Sequence, residues 1–164
     1  RYSIWTMQSD YHNLPMINGI PEKYGTNFKA SNVKASKDGF SANIATAYPE
    51  EAKAKTWIRT YKVNGKKLRI QDSFELHEVV NPNVINFMTW GKVNCAEKGK
   101  VAIQVGDVKA FLQYNPDKFE LAIEPKELTD TRLSKVWGKV IYRLSFKAKQ
   151  TVKKGNYSFT LYKH

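Results

Sequence analysis

The sequence holds a single cysteine, Cys95, among 164 residues. That excludes an internal disulfide framework and any zinc site built on several cysteine ligands, and a lone cysteine of this kind reads as a small, half-buried residue. No apolar run approaches the roughly 20 residues that a membrane helix needs, and no basic start leads into an apolar leader. Histidine is scarce as well: His12, His77 and His164 are the three. The sequence has no G-x-S-x-G elbow, no G-x-G-x-x-G or G-x-x-x-x-G-K-[ST] phosphate loop, no H-E-x-x-H and no EF-hand loop, so neither nucleophilic, cofactor-dependent nor ordinary metal-dependent catalysis has a motif to stand on. Carboxylates are few. There are 15 of them against 27 Lys and Arg, a formal charge of +12.

Such an excess concentrates polyanions near the surface without naming them. The acids that exist are unevenly placed, with Asp117, Glu120, Glu124, Glu127 and Asp130 in one stretch, so the remainder is more basic than the average. An apolar fraction of 41% and an aromatic fraction of 13% suffice for a full core. Trp5, Trp57, Trp90 and Trp137 are spaced along the chain, as expected when separate elements each give one large side chain to one core. A single domain spanning 1–164 is the expectation. The chain opens Arg1-Tyr2-Ser3-Ile4-Trp5, without Met and in strand-like composition, and reads as a fragment of something longer.

Period-two alternation dominates. Phe40, Ala42, Ile44, Thr46 and Tyr48 alternate with smaller or polar residues, as do Val140, Tyr142, Leu144, Phe146 and Ala148, and then Tyr157, Phe159 and Leu161. This is the pattern of strands with one buried face. Asn18-Gly19, Asp38-Gly39 and Asn64-Gly65 supply residues tolerant of positive φ between such runs. Helical signals are limited to a turn or two at 49–55 and another at 126–133. The expected fold is therefore all-β: an antiparallel β-sandwich of two packed, twisted sheets with few short helical turns.

The best-specified hairpin is 57–63 returning as 68–76. A four-residue loop, 64–67, sets Val63 opposite Leu68, Tyr61 opposite Ile70, Arg59 opposite Asp72 and Trp57 opposite Phe74, so that every pair matches in kind. A two-residue Asn-Gly loop would set Arg59 against Ile70 and Trp57 against Asp72. Arg59 and Asp72 then share the apolar face, where they are tolerable only as a paired, hydrogen-bonded couple. The run 84–90 is apolar on both parities and should be a central strand covered on both faces, by a second sheet and a loop or by a neighbouring domain.

Ser9 to Gly19 carries the densest chemistry: Asp10, Tyr11, His12 and Asn13 ahead of a Pro-Met-Ile strand and an Asn-Gly turn. If residues 8–13 are extended, Asp10 and His12 project from one face, and the carboxylate could ligate a metal beside the imidazole or orient it. Two ligands do not close a zinc or calcium site, and the others would have to come from elsewhere in the chain or from outside it. The alternative is a histidine satisfied by backbone hydrogen bonds. Nucleic acid is not the expected partner: the basic residues sit singly in alternating strands, and no aromatic-and-glycine RNA-binding motif occurs.

The opening 1–7, then Tyr11-His12-Asn13-Leu14-Pro15-Met16-Ile17-Asn18-Gly19, then Trp57-Ile58-Arg59-Thr60 leading into Leu68-Arg69-Ile70-Gln71-Asp72-Ser73-Phe74, resembles the C-terminal β-sheet domain of heparinase II/III-like polysaccharide lyases. The resemblance covers residues 1–76; beyond that it is strand rhythm. It implies a C-terminal, non-catalytic β-sandwich whose missing N-terminal partner is an α/α toroid, the substrate being an acidic, uronate-containing polysaccharide such as a glycosaminoglycan in the cleft between them. The implied reaction of the parent, a carbon-oxygen lyase, is β-elimination: a Tyr or His base takes the C5 proton of the uronate while Asn or His groups offset its carboxylate. The toroid and a histidine upstream of Arg1 would supply those groups, so this chain carries no catalytic residue. The resemblance places His12 and Asn13 near the cleft, as a metal or structural position. Candidate substrate contacts are His12, Asn13, Tyr11, Lys62, Lys67 and Arg69, and the candidate metal ligands are His12 and Asp10. No cofactor is required by this chain; a zinc or calcium ion is possible in the parent. The implied setting is bacterial, periplasmic or secreted. A second reading is a stand-alone carbohydrate-binding or adhesion module using exposed aromatics and lysines.

Overall fold

The computed structural model describes residues 2–163; Arg1, where the resemblance begins, and His164 lie outside them. Two antiparallel sheets pack face to face. The smaller has the order β1 (Pro15–Met16), β6 (Val84–Thr89), β11 (Val140–Ala148), β10 (Phe119–Glu127). The larger runs β2 (Ser31–Ser36), β3 (Gly39–Asn43), β4 (Ala54–Asn64), β5 (Lys67–Leu76), β12 (Lys154–Lys163), β9 (Val108–Gln113), β8 (Lys100–Val105), β7 (Lys92–Asn94). The expected β-sandwich is therefore the fold.

Alternation dictates what lies between the sheets. Ile85 and Phe87 of β6, Leu144 and Phe146 of β11 and Phe119 of β10 face Trp57, Ile70, Phe74, Tyr157 and Phe159 of the large sheet, all of them buried. Aromatic rings bridge the two layers. The Phe119 ring lies 4.8 Å from Tyr157 and 5.1 Å from Phe159, while Phe146 and Phe87 each stand 5.1 Å from Phe159. Offset and edge-on pairs of this kind add about 0.5–1.5 kcal/mol each beyond area burial.

The β4–β5 register is the expected one at every pair: Val63 with Leu68, Tyr61 with Ile70, Arg59 with Asp72 and Trp57 with Phe74. The ladder runs one pair further, Asn64 with Lys67, so the loop shrinks to Gly65 and Lys66, with Gly65 at φ +60° in the first central position that type II′ turns reserve for glycine. Asn18-Gly19 also makes its turn, at φ +53° and +76°, closed by reciprocal Ile17–Ile20 backbone bonds. Asp38-Gly39 works differently. Neither residue has positive φ; a Cβ on Gly39 would instead stand 3.0 Å from the Tyr61 carbonyl, so close strand approach is what the glycine serves.

Several expectations are corrected. The strand expected over 40–48 ends at Asn43 and continues as a 3-10 turn, Ala45–Ala47, because the Asn43 Oδ1 accepts from the Ala45 and Trp57 amides and turns the chain inward. The helical turn expected at 126–133 is displaced: β10 extends through Glu127, and α1 (Thr131–Trp137) begins after Asp130, whose side chain accepts from the Arg132 amide as an N-cap does. Cys95 lies exposed in the loop after β7, not half-buried. The opening residues form two 3-10 turns, Trp5–Met7 and Ser9–Tyr11, rather than a strand, since they serve as a lid.

That lid answers what covers the second face of β6. Met88 of β6 and Ile141 of β11 point away from the core, and Trp5, Tyr11, Leu133 and Trp137 close over them around a cavity of about 350 Å³. The cover is thus made within the chain, by the opening segment and α1.

Candidate functional site

His12 follows the second 3-10 turn, on the outer face of the small sheet, and its position is fixed from below. The Arg59 guanidinium on β4 donates twice to the Asp72 carboxylate, both at 2.7 Å, and once to the Asn13 carbonyl at 2.8 Å. The pair is almost fully buried, at 2% and 0% side-chain exposure. Burial works against the guanidinium's charge, but the adjoining Asp72 carboxylate prevails and raises its pKa, so the guanidinium stays charged at any physiological pH. Asn13 completes the tie: its Oδ1 accepts from the Met88 amide at 2.7 Å. A buried ion pair in one sheet, a loop carbonyl and the edge of the other sheet are joined through one residue.

Asn18 is a second such joint. Only 1% exposed, its amide donates to the Ala52 and Glu78 carbonyls at 2.8 and 2.9 Å and its Oδ1 accepts from the Val80 and Asn81 amides at 2.9 and 3.3 Å. Its own N–H donates to Asn83 Oδ1 at 2.8 Å, and Asn83 in turn reaches the Tyr157 hydroxyl at 3.2 Å. Tyr48 donates to the Pro15 carbonyl. The motif-bearing stretch is therefore held by structural hydrogen bonds on both sides of His12.

Asp10 and His12 are not aligned on one face of an extended strand, because residues 9–11 wind as a 3-10 turn instead. Arg143 takes the Asp10 carboxylate at 3.2 Å and also pairs with Glu124. Its guanidinium lies 4.5 Å from the Tyr11 ring centre, and Lys126 stands 5.2 Å from the centres of both Tyr11 and Trp5. Tyr11 is thus packed beneath cations. His12 Nε2 lies 3.1 Å from the Thr6 carbonyl. Among the described residues no three His, Cys, Asp or Glu side chains are grouped as a metal would need. With Asp10 engaged by Arg143, Asp10 and His12 alone do not fit a zinc or calcium ion, and any such site would draw on ligands from outside them.

Beside His12 runs an open groove of about 900 Å³, lined among others by Tyr2, Asp10, Glu22, Lys23, Tyr24 and Glu51. Tyr2 and Tyr24 stack in parallel at its rim, 4.0 Å apart. Among the described residues, carboxylates outnumber cations along this groove. Glu22 is the residue that sequence reasoning missed. Burial raises its carboxyl pKa, and nearby His12 opposes that rise by stabilising the charged form. Nothing in its local sequence signals this. A folded-state pKa above the ordinary glutamate value means the native state holds the proton more tightly, so stability falls as pH rises through that window. Thermal melts of E22Q should lose that fall, and an unchanged pH dependence would contradict the assignment.

Lys62, Lys67 and Arg69 are exposed on β4 and β5, on the outward face of the large sheet. They lie on the opposite side of the sandwich from Tyr11, His12 and Asn13. The six candidate contacts therefore fall into two groups, not one wall.

No family model matches the sequence, and no curated protein matches it. A solved structure does. The chain superposes on the crystal structure of a mutant of the heparan sulfate lyase HepC from Pedobacter heparinus with a TM-score of 0.68. The match covers 98% of this chain at 15% identity, and 25% of that chain. The likeness is therefore one of fold, and this chain spans about a quarter of the neighbour's length.

Proposed function

We propose that this chain is the C-terminal β-sandwich of a heparinase II/III-like polysaccharide lyase, a single domain lining one wall of a cleft for acidic, uronate-containing polysaccharide. The observation that carries this reading is the superposition of nearly the whole chain on a quarter of a heparan sulfate lyase, together with the motif resemblance of its first 76 residues. In this reading Tyr11, His12 and Asn13 form the edge facing the cleft, and their tethering by Arg59 and Met88 gives that edge a fixed shape. The β-elimination chemistry belongs to an N-terminal toroid and a histidine upstream of Arg1, any divalent metal of the parent near His12 and Asp10 would draw its further ligands from outside them, and the setting is periplasmic or secreted. No helix among the described residues is long and apolar enough to cross a membrane.

The test is incubation of this chain with heparan sulfate, followed by unsaturated-uronate absorbance. No product should accumulate; turnover by the chain alone would show that it holds the catalytic groups. A second reading, a stand-alone carbohydrate-binding module, is favoured by one observation: the Tyr2–Tyr24 stack, with Tyr24 60% exposed, beside a groove that is not basic. Stacking on sugar rings would give such a module affinity for neutral glycans.

A further inference from the structure

We propose that the outward face of the large sheet is a separate binding surface for an extended anionic glycan, remote from the His12 edge. The proposal rests on the polysaccharide reading above, but not on the cleft.

Register, rather than sequence proximity, builds this surface. Lys62 of β4 lies opposite Arg69 of β5, Arg69 opposite Thr160 of β12, Thr160 opposite Gln113 of β9, and Gln113 opposite Lys100 of β8. These positions form one line across five strands. At the usual 4.7–4.9 Å per strand, its four steps span about 19 Å. The line places cations at both ends and neutral hydrogen-bonding side chains between them. The neighbouring line runs Asn64, Lys67, Tyr162, Phe111, Ala102. No carboxylate stands at any of these ten positions; Glu97 lies 3.3 Å from Lys100 at one rim, and Asp38 lines the same surface hollow as Lys62 at the other. By contrast, the groove beside His12 carries Asp10, Glu22 and Glu51. Of the two surfaces, this is the one whose charge complements a uronate or sulfate polymer.

The aromatic pair explains how the cations are held and which polyanion fits. Tyr162 and Phe111 stack at 5.4 Å. Lys67 lies 5.9 Å from the Tyr162 ring centre, and Lys100 and Lys109 lie 4.9 and 5.5 Å from that of Phe111. The rings thus serve as a base on which the lysine stems lie, with the ammonium groups raised over them. A single-stranded nucleic acid would need ring faces open to its bases, and here the rings face each other and lysines. Cations brought into line by register across neighbouring strands suit a polymer that carries its charge at sugar-length intervals.

The test compares two triple variants carrying the same loss of charge, K62Q/K67Q/R69Q on this face and K135Q/K139Q/K149Q on exposed positions of the small-sheet side. Heparan sulfate chains, single-stranded DNA of similar length and neutral dextran are titrated at low and moderate salt. All substituted residues are exposed, and unchanged thermal melts confirm intact folding. The first triple should lose about tenfold or more in heparan sulfate affinity and show a shallower salt dependence, while the second should change by no more than about twofold, the effect of net charge alone. Equal losses in both triples, or none in either, would overturn the assignment of this face while leaving the polysaccharide reading intact. Single-stranded DNA bound as tightly as heparan sulfate, with the same loss in the first triple, would overturn the choice of glycan. Failure of the unsubstituted protein to bind heparan sulfate at low salt would remove the ligand class, and the proposed function with it.

Discussion

Replacing Arg59 by methionine should lower the unfolding free energy by about 3–5 kcal/mol, because it strands the Asp72 carboxylate in the core. For a domain of this size that corresponds to a fall in melting temperature of roughly 10 °C or more. Asp72 is 1% exposed, and its two oxygens receive the two guanidinium bonds. Water cannot replace them. The double variant R59M/D72L removes both charges and should recover most of the loss, since a well-packed apolar pair often substitutes for a buried ion pair at little cost. A single variant costing under about 1 kcal/mol, or a double variant as unstable as the single one, would show that the pair is not the anchor described. The substitution has a second, local readout. With the guanidinium gone the Asn13 carbonyl loses its donor, so the Met88 amide, which donates to Asn13 Oδ1, should exchange with solvent faster in both variants, even where global stability is restored. Stability and the shape of the His12 edge are thereby separated.

The second large effect is expected at Asn18. N18A leaves the Ala52 and Glu78 carbonyls without a donor and the Val80 and Asn81 amides without an acceptor. At about 1–3 kcal/mol for each buried group left unsatisfied, even partial rescue by water leaves a loss of about 3 kcal/mol or more. The backbone adds to it. Asn18 sits at φ +53°, a left-handed conformation that costs an ordinary L-residue about 1–2 kcal/mol and glycine almost nothing. N18G should therefore be about 1 kcal/mol less damaging than N18A, although neither retains the side chain. Urea unfolding of the two variants measures the difference directly. Equal losses would mean that the turn contributes no strain, and small losses in both would mean that the hydrogen-bond hub is redundant.

These two residues also mark what the sequence could and could not reveal. The β4–β5 register was legible because only one alignment pairs Trp57 with Phe74 and Arg59 with Asp72 at once, and a one-residue slip would send the whole apolar set to the wrong face. Burial of β6 on both faces was legible from apolar residues at both parities of its run. What covers it was not, because the lid depends on Lys126 and Arg143 meeting Trp5 and Tyr11 from more than a hundred residues away. The segment from Phe40 to Tyr48 shows the opposite failure. Its period two is real, but small residues such as Ala45 and Ala47 bury as readily in a 3-10 turn, and the Asn43 side chain decides the outcome.

The candidate site was half legible. Tyr11, His12 and Asn13 do sit together, yet Asn13 acts as a tether and Asp10 is held by Arg143. Glu22 gave no signal, since its shifted carboxyl depends on burial against the opening turns. Lys62, Lys67 and Arg69 were visible as hairpin cations, whereas their alignment with Lys100 depends on the β5–β12–β9–β8 register. That order cannot be inferred from periodicity in any one strand.

The central claim, that this sandwich is a wall for acidic polysaccharide and not a free-standing module for neutral sugars, is tested most directly by equilibrium titration of the intact chain with heparan sulfate and with a neutral glycan across a salt series. The account predicts heparan sulfate binding that weakens steadily as salt rises, with little affinity for the neutral polymer at any salt. Tight binding of the neutral glycan that persists at high salt would contradict it.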